Sequence, residues 1–510
     1  MIPAISDIGG VPTLVVDGEP FVILGAQCDI WRSTRQDEKV VEFIDAYREM
    51  NATAISFGIP WAKMEPERDL YDFSFLDWFI ERTEAARLKL VVNLFNSNVC
   101  GKCEELTEGE RYPQYTPDYI KNDPEGFTRI VPNVDIEYHP GGPPLCPNDP
   151  ATLDRETRYL RRVAMHLKET DRNCTVIMVQ LNNEYFYQQW ADCKDNTQKH
   201  VRCVCEFCTA KYDAGRYLTA EEFMFTSFAE YTRTLTDIFK AVYPLPVYVN
   251  SPWWAPYIID IFLSECPNLD FVGIDGIYSV VEPNQLTVGQ RGRNIPFAAE
   301  SPTEAPATKH YLPMLPYYTA LKMNGLGNLL WEAPDPDTVV NDSAAFVRFQ
   351  RALYPIRNAM IPLIEARNSN RLIVWYSQSA NVEMATEIDV FGKRIDLETP
   401  VSYSGKGTVL IERGTVRTVR DGPFDVRVGE VELNVSGSQA GFVIPVNEGL
   451  IVGSGGGSIG IEGSRSVVVD VGRFEGRRWV SEGRLSWEGG RLRVARRLVR
   501  IRLDQEGQEP

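Results

Sequence analysis

The stretch that most limits what this chain can fold into is residues 176–184, Val-Ile-Met-Val-Gln-Leu-Asn-Asn-Glu. It opens as an apolar run of strand length and closes on amides and a carboxylate. A run without alternation suits a strand buried on both faces, as in a parallel sheet covered by helices. Polar residues at the end of such a strand stand at the carboxyl mouth of an α/β barrel, where active sites lie. Glu184 is therefore a candidate acid/base. The plainer reading is a Glu that opens a solvated loop.

The rest of the chain repeats that grammar. Strand-like runs are expected over residues 20–27, 52–59, 88–95, 174–184, 247–250, 271–275, 296–300 and 326–331. Helical spacing falls over 36–50, 73–86, 152–169, 220–242, 257–265, 309–323 and 344–366. No clear helix separates the sixth and seventh strands. Strand and helix in alternation imply a parallel sheet, and eight such units fit a (β/α)₈ TIM barrel over residues 1–370. Long Pro-, Gly- and Tyr-rich or Cys-rich segments follow strands three and four, at 99–150 and 185–219; loops of that length usually carry function. From residue 371 to 510 helical spacing gives way to short Val/Ile-rich runs, such as 408–411, 424–428 and 467–471, separated by turns such as Asp421-Gly422. This reads as an antiparallel, β-sandwich-like accessory domain. Its Arg-rich tail, 473–502, reads as a solvated basic face in preference to a glycan-contacting one.

Charge narrows the partners. With 53 Lys and Arg against 70 Asp and Glu, the net charge is −17, which argues against nucleic acid or an anionic membrane. No stretch has the roughly 18 uninterrupted apolar residues of a membrane span. The opening Met-Ile-Pro-Ala-Ile-Ser-Asp lacks the cationic and apolar regions of a signal peptide, so a cytoplasmic location is the expectation.

Two constellations carry chemistry. Glu184 would end strand four, and Glu300 would end strand seven in Phe297-Ala298-Ala299-Glu300, across the barrel. Two carboxyls flanking one bond are what glycoside hydrolysis needs. Asn183 could hold a sugar hydroxyl beside them. Glu332, after strand eight, is the rival of Glu300. The second constellation is Cys203-Val204-Cys205-Glu206-Phe207-Cys208. Three thiols at this spacing can reach one tetrahedral zinc ion, with a fourth ligand from elsewhere. Cys146 is the first choice for it; Cys193, Cys100, Cys103 and His200 are alternatives. Unliganded, reduced cysteines are the plain reading. Arg32, Asn96, Trp253, Trp254, Asp275 and Tyr278 each follow a predicted strand, where substrate contacts concentrate.

With these motifs in place, the chain resembles the retaining (β/α)₈ glycosidases. Their acid/base follows an Asn at the end of strand four, and their nucleophile ends strand seven. The cysteine run brings residues 146–212 closest to glycoside hydrolase family 42 β-galactosidases, which pair an Asn-Glu acid/base with a Cys-x-Cys-x₂-Cys zinc run and a fourth Cys in a Cys-Pro-Asn turn. Carried over by position, the resemblance implies Asn183 as substrate-binding, Glu184 as acid/base and Glu300 as nucleophile. It further implies Cys146, Cys203, Cys205 and Cys208 around a structural zinc, and Trp331 stacked on sugar. The opening and strand three are similar to family 35 β-galactosidases. The middle domain through which family 42 forms trimers is not recognisable, so oligomeric state stays open. The expected activity is a retaining exo-β-glycosidase acting on a small oligosaccharide or glycoside, with β-galactosidase the first choice. β-Mannosidase, β-glucosidase, α-L-arabinopyranosidase and β-xylosidase are alternatives, as is a non-catalytic glycan-binding barrel.

Overall fold

The structure is a computed structural model, and it describes residues 1–28, 36, 38–95, 115–134, 144–182, 201–215, 217–252, 256–275, 289–303, 312–332, 339–379, 385–390, 393–401, 404–412, 415–419, 424–428, 431–436, 440–446, 449–455, 458–463, 467–485, 491–493 and 497–503. Eight parallel strands close a barrel: β1 Ile23–Cys28, β2 Ala54–Pro60, β3 Lys89–Phe95, β4 Val176–Leu181, β5 Val247–Pro252, β6 Phe271–Asp275, β7 Phe297–Pro302 and β8 Gly327–Glu332. The seam joins β8 to β1, with Gly327 opposite Ile23. Gly327 has φ 120°, and a Cβ there would lie 1.9 Å from the Ile23 carbonyl oxygen, so only glycine fits.

Around the barrel lie α1 Glu38–Glu49, α2 Ser74–Ala85, α3 Pro150–Thr170, α4 Glu206–Ala214, α5 Ala220–Val242, α6 Pro256–Glu265, α7 Ser343–Asn358 and α8 Met360–Asn368. Capping sets the starts of α3 and α5. Asp149 accepts from the Ala151 N–H ahead of α3, whose first residue is Pro150, and Thr219 accepts from the Glu222 N–H ahead of α5.

Three expectations need correction. The stretch expected as one first strand, 20–27, is divided. Glu19–Pro20 belongs to a small antiparallel sheet with Ala4–Ile8 and Val11–Val16, and the barrel strand starts at Ile23. Leu14 and Val16 of that sheet are buried among Ile23, Ala54, Val91, Met178, Tyr248 and Phe271 of the barrel interior. They plug its amino-terminal end, and each such burial is worth about 1.5–3 kcal/mol. The helix expected over 309–323 is, in its described part, a 3₁₀ turn Leu312–Met314 and a π-helix Tyr317–Lys322. The helix expected over 344–366 is broken at Ala359, because Pro362 cannot donate to Asn358 and would crowd its carbonyl.

Beyond α8 the strands turn antiparallel. One sheet has eight of them, from Ile373–Ser379 through Leu498–Leu503, and a second has four. Phe442, Ile444, Ile451 and Leu498 of the larger sheet join the apolar cluster under the barrel helices. Among the described residues no helix is long and apolar enough to cross a membrane.

Candidate active site

A barrel strand sends alternate side chains inward. Counting from the apolar floor, Phe297 and Ala299 of β7 face the barrel interior with Leu329 of β8, while Ala298 packs outward under the helices. Strict alternation would then turn Glu300 away from the cavity. It does not, because β7 bulges. Ala298 pairs with Asn328 and Ser301 with Leu330, so two residues of β7, Ala299 and Glu300, stand opposite one of β8. A bulge of this kind re-aims a side chain and is common beside active sites.

Glu300 is thereby brought to a directed chain of polar groups. Gln27 Nε2, from β1, donates to Glu300 Oε1 at 3.0 Å. Gln27 Oε1 accepts from Asn93 Nδ2, on β3, at 3.0 Å. The Tyr248 hydroxyl, on β5, lies 3.5 Å from Asn93 Oδ1. Gln27, Asn93 and Tyr248 are all buried. Four odd-numbered strands thus contribute to one layer, the arrangement that fills such barrels. Burial pushes the Glu300 carboxyl up to about 7, and the Gln27 hydrogen bond pulls the other way. Burial and the nearby Asp275 and Glu300 carboxylates hold the Tyr248 hydroxyl well above its usual range, so it stays protonated as a donor.

Opposite, β4 stops at Leu181 and the next residue, Asn182, turns with φ 57°. Asn183 and Glu184 follow it in sequence and lie outside the described residues, as do Arg32, Asn96, Trp253, Trp254 and Tyr278. Asp275 closes β6 and is buried. Trp331 lies in register with Gln27 on one side and Pro302 on the other, half-buried at the same level of the barrel. Glu332 ends β8, and its side chain is outside the description. Gln27 and Asn93 were not singled out from the sequence. Each interrupts an apolar strand with an amide, a signal that gains meaning once the inward register is known.

The cysteines form a second cluster. The Sγ atoms of Cys146, Cys203, Cys205 and Cys208 all lie within 4.8 Å of one another, and all four residues are buried. Cys146 stands 3.6 Å from Cys205 and 3.3 Å from Cys208. Four thiolates around zinc, with bonds of about 2.3 Å, would have sulfurs about 3.8 Å apart, so the set fits one tetrahedral ion. The sulfurs also accept from the Val131 N–H (3.3 Å to Cys203), the Cys208 N–H (3.4 Å to Cys205) and Asn148 Nδ2 (3.2 Å to Cys208). Such donors stabilise thiolate in a site otherwise poor in water. Cys100, Cys103, Cys193 and His200, the alternative ligands, lie outside the described residues.

The closed barrel of eight parallel strands, with Glu300 near the end of one of them, is a (β/α)₈ architecture. Residues 31–228 match the family model described as Beta-galactosidase, that of glycoside hydrolase family 42. Among solved structures, the chain is similar to the exo-β-1,4-mannosidase Op5Man5 from Opitutaceae bacterium strain TAV5, at 16% identity and TM-score 0.39, over 65% of this chain and 56% of that one. It is similar to a β-galactosidase from the haloarchaeon Halorubrum lacusprofundi, at 14% identity and TM-score 0.44, over 66% and 58%. It is also similar to the β-galactosidase of Rahnella sp. R3, at 13% identity and TM-score 0.47, over 70% and 58%. The chain thus spans 56–58% of the length of these three structures. No curated protein matches it in sequence.

Proposed function

We propose that the chain is a retaining exo-β-glycosidase, with β-galactosides as the first substrate class to test. One observation carries the proposal: the bulge in β7 that turns Glu300 into the barrel mouth, where Gln27 holds it. Glu300, once ionised, is the nucleophile on the anomeric carbon. Gln27 fixes one carboxylate oxygen, and the other is proposed to attack. Glu184, three residues past the end of β4, is the acid that protonates the leaving oxygen and then the base that draws a proton from water. Asn183 binds the sugar beside it, and Trp331 offers a face for stacking. Arg32, Asn96, Trp253 and Tyr278 complete the proposed substrate contacts.

Zinc is proposed as a structural ion held by Cys146, Cys203, Cys205 and Cys208. Bound there, it would cross-link the segment ahead of α3 to the insertion ahead of α4, away from the reacting bond. Backbone pairing already joins the two segments, with the Val204 N–H donating to the Val131 carbonyl at 2.7 Å.

The test is a panel of nitrophenyl glycosides, followed by nuclear magnetic resonance of the first product formed. The expected result is hydrolysis of the β-galactoside with the β-anomer appearing first. Appearance of the α-anomer first would refute retention. Cleavage of only the mannoside, glucoside, xyloside or arabinopyranoside would move the substrate class and keep the mechanism.

A further inference from the structure

Strand β4 ends in a turn that is held from three sides. The Asn182 N–H donates to the Leu94 carbonyl near the end of β3 at 2.9 Å, and its own carbonyl accepts from Gln180 Nε2 at 2.9 Å. Its Nδ2 donates to Glu156 Oε1 at 3.3 Å. With φ 57°, this residue occupies the left-handed region that Asn tolerates better than most side chains. Glu156 is fully buried on α3, and its second oxygen accepts from the Tyr231 hydroxyl of α5. The two helices pack against each other.

A buried carboxylate costs folding free energy that an apolar side chain of similar volume would not. Among the partners of Glu156 are a hydroxyl from the neighbouring helix and the amide of the turn residue. We infer that Glu156 and Tyr231 are positioning residues for the acid/base step: together they hold Asn182 in the turn from which Asn183 and Glu184 emerge. The inference rests on the reading of Glu184 as acid/base. It does not require either residue to touch substrate.

The geometry makes a prediction that a purely structural role would not. If the pair aims the acid, its loss matters most when the leaving group needs a proton. Tyr231→Phe and Glu156→Gln are to be assayed on aryl glycosides, of the sugar that the panel shows to be cleaved, with leaving groups from phenol to 2,4-dinitrophenol. The expected loss in kcat/KM is about 10–100-fold for the phenyl glycoside and less than about threefold for the dinitrophenyl one, given what general acid catalysis and small misplacements are worth. Asn182→Gly, which keeps access to positive φ, should lose less than Asn182→Ala. This pair also covers the case in which a Glu156 variant does not fold.

Equal losses on both substrates, or none, would overturn the inference. Glu184→Gln serves as the reference. A steep dependence on the leaving group in Glu184→Gln with a flat one in Tyr231→Phe and Glu156→Gln defeats the positioning role alone. A flat dependence in Glu184→Gln defeats the acid/base reading beneath it.

Discussion

Two of the polar clusters in the barrel domain are built on opposite logic. In the barrel mouth the Glu300 carboxylate is held by a neutral donor, Gln27, and burial raises its affinity for protons. Outside the barrel four thiols lie within 4.8 Å of one another, and backbone and side-chain N–H groups point at their sulfurs. The first arrangement leaves a charge under-compensated, which costs stability and suits the reactive role proposed for Glu300. The second gathers ligands that one cation could satisfy together, which favours stability over reactivity. The contrast teaches that burial alone does not mark a catalytic group; what the neighbours supply does.

Substitutions can break this contrast from either side. The largest effect is expected from Glu300→Gln. Turnover should fall on the order of 10⁴-fold, while the melting temperature holds or rises, because a neutral isostere replaces a poorly compensated carboxyl. Steady-state kinetics and thermal unfolding of the same preparation check both halves. Cys203→Ser should do the reverse. Metal analysis should find zinc lost from the chain, and stability should drop by several kcal/mol, with catalysis at low temperature retained within about tenfold. Zinc content unchanged in that variant would contradict the four-thiol site.

A pH profile sharpens the comparison. In the proposed mechanism the ionised form of Glu300 is the active one, and burial pushes its carboxyl up to about 7. The acidic limb of kcat/KM should therefore be full above that pH and fall tenfold per unit below it. Gln27 donates to the carboxylate and so favours the charged form. Gln27→Leu should move the limb to higher pH, with a modest loss at the plateau. The smallest effect on activity is expected in the C-terminal sheet. Asp470 is buried, with Arg500 at 3.1 Å and Arg502 at 2.7 Å. Asp470→Asn should cost about 1–3 kcal/mol of stability and leave kcat/KM unchanged.

Much of the fold was legible in the sequence where periodicity is clear. Helix α5 runs over Ala220–Val242 and β6 over Phe271–Asp275, the ranges expected from apolar spacing. The amino-terminal sheet was not read, although Gly9-Gly10 and Asp17-Gly18 lie at its turns and all four residues have positive φ. Its strands are too short for alternation to stand out. At the site, Glu300 was visible because a carboxylate follows an apolar run. The bulge that aims it was not, since one extra residue leaves no mark in residue type. Gln27 and Asn93 were hidden for a related reason. Their inward direction is a property of barrel register, fixed only once all eight strands close. The same holds for Glu156 and Tyr231, which look like ordinary helix residues until their helices meet beneath β4.

The claim on which the rest depends is that Glu300 attacks the sugar. A 2-deoxy-2-fluoro glycosyl fluoride of the cleaved sugar should trap the covalent intermediate, and peptide mass mapping should then find the label on the peptide containing Glu300. A label on Glu332, or inactivation without any adduct on β7, would contradict the account.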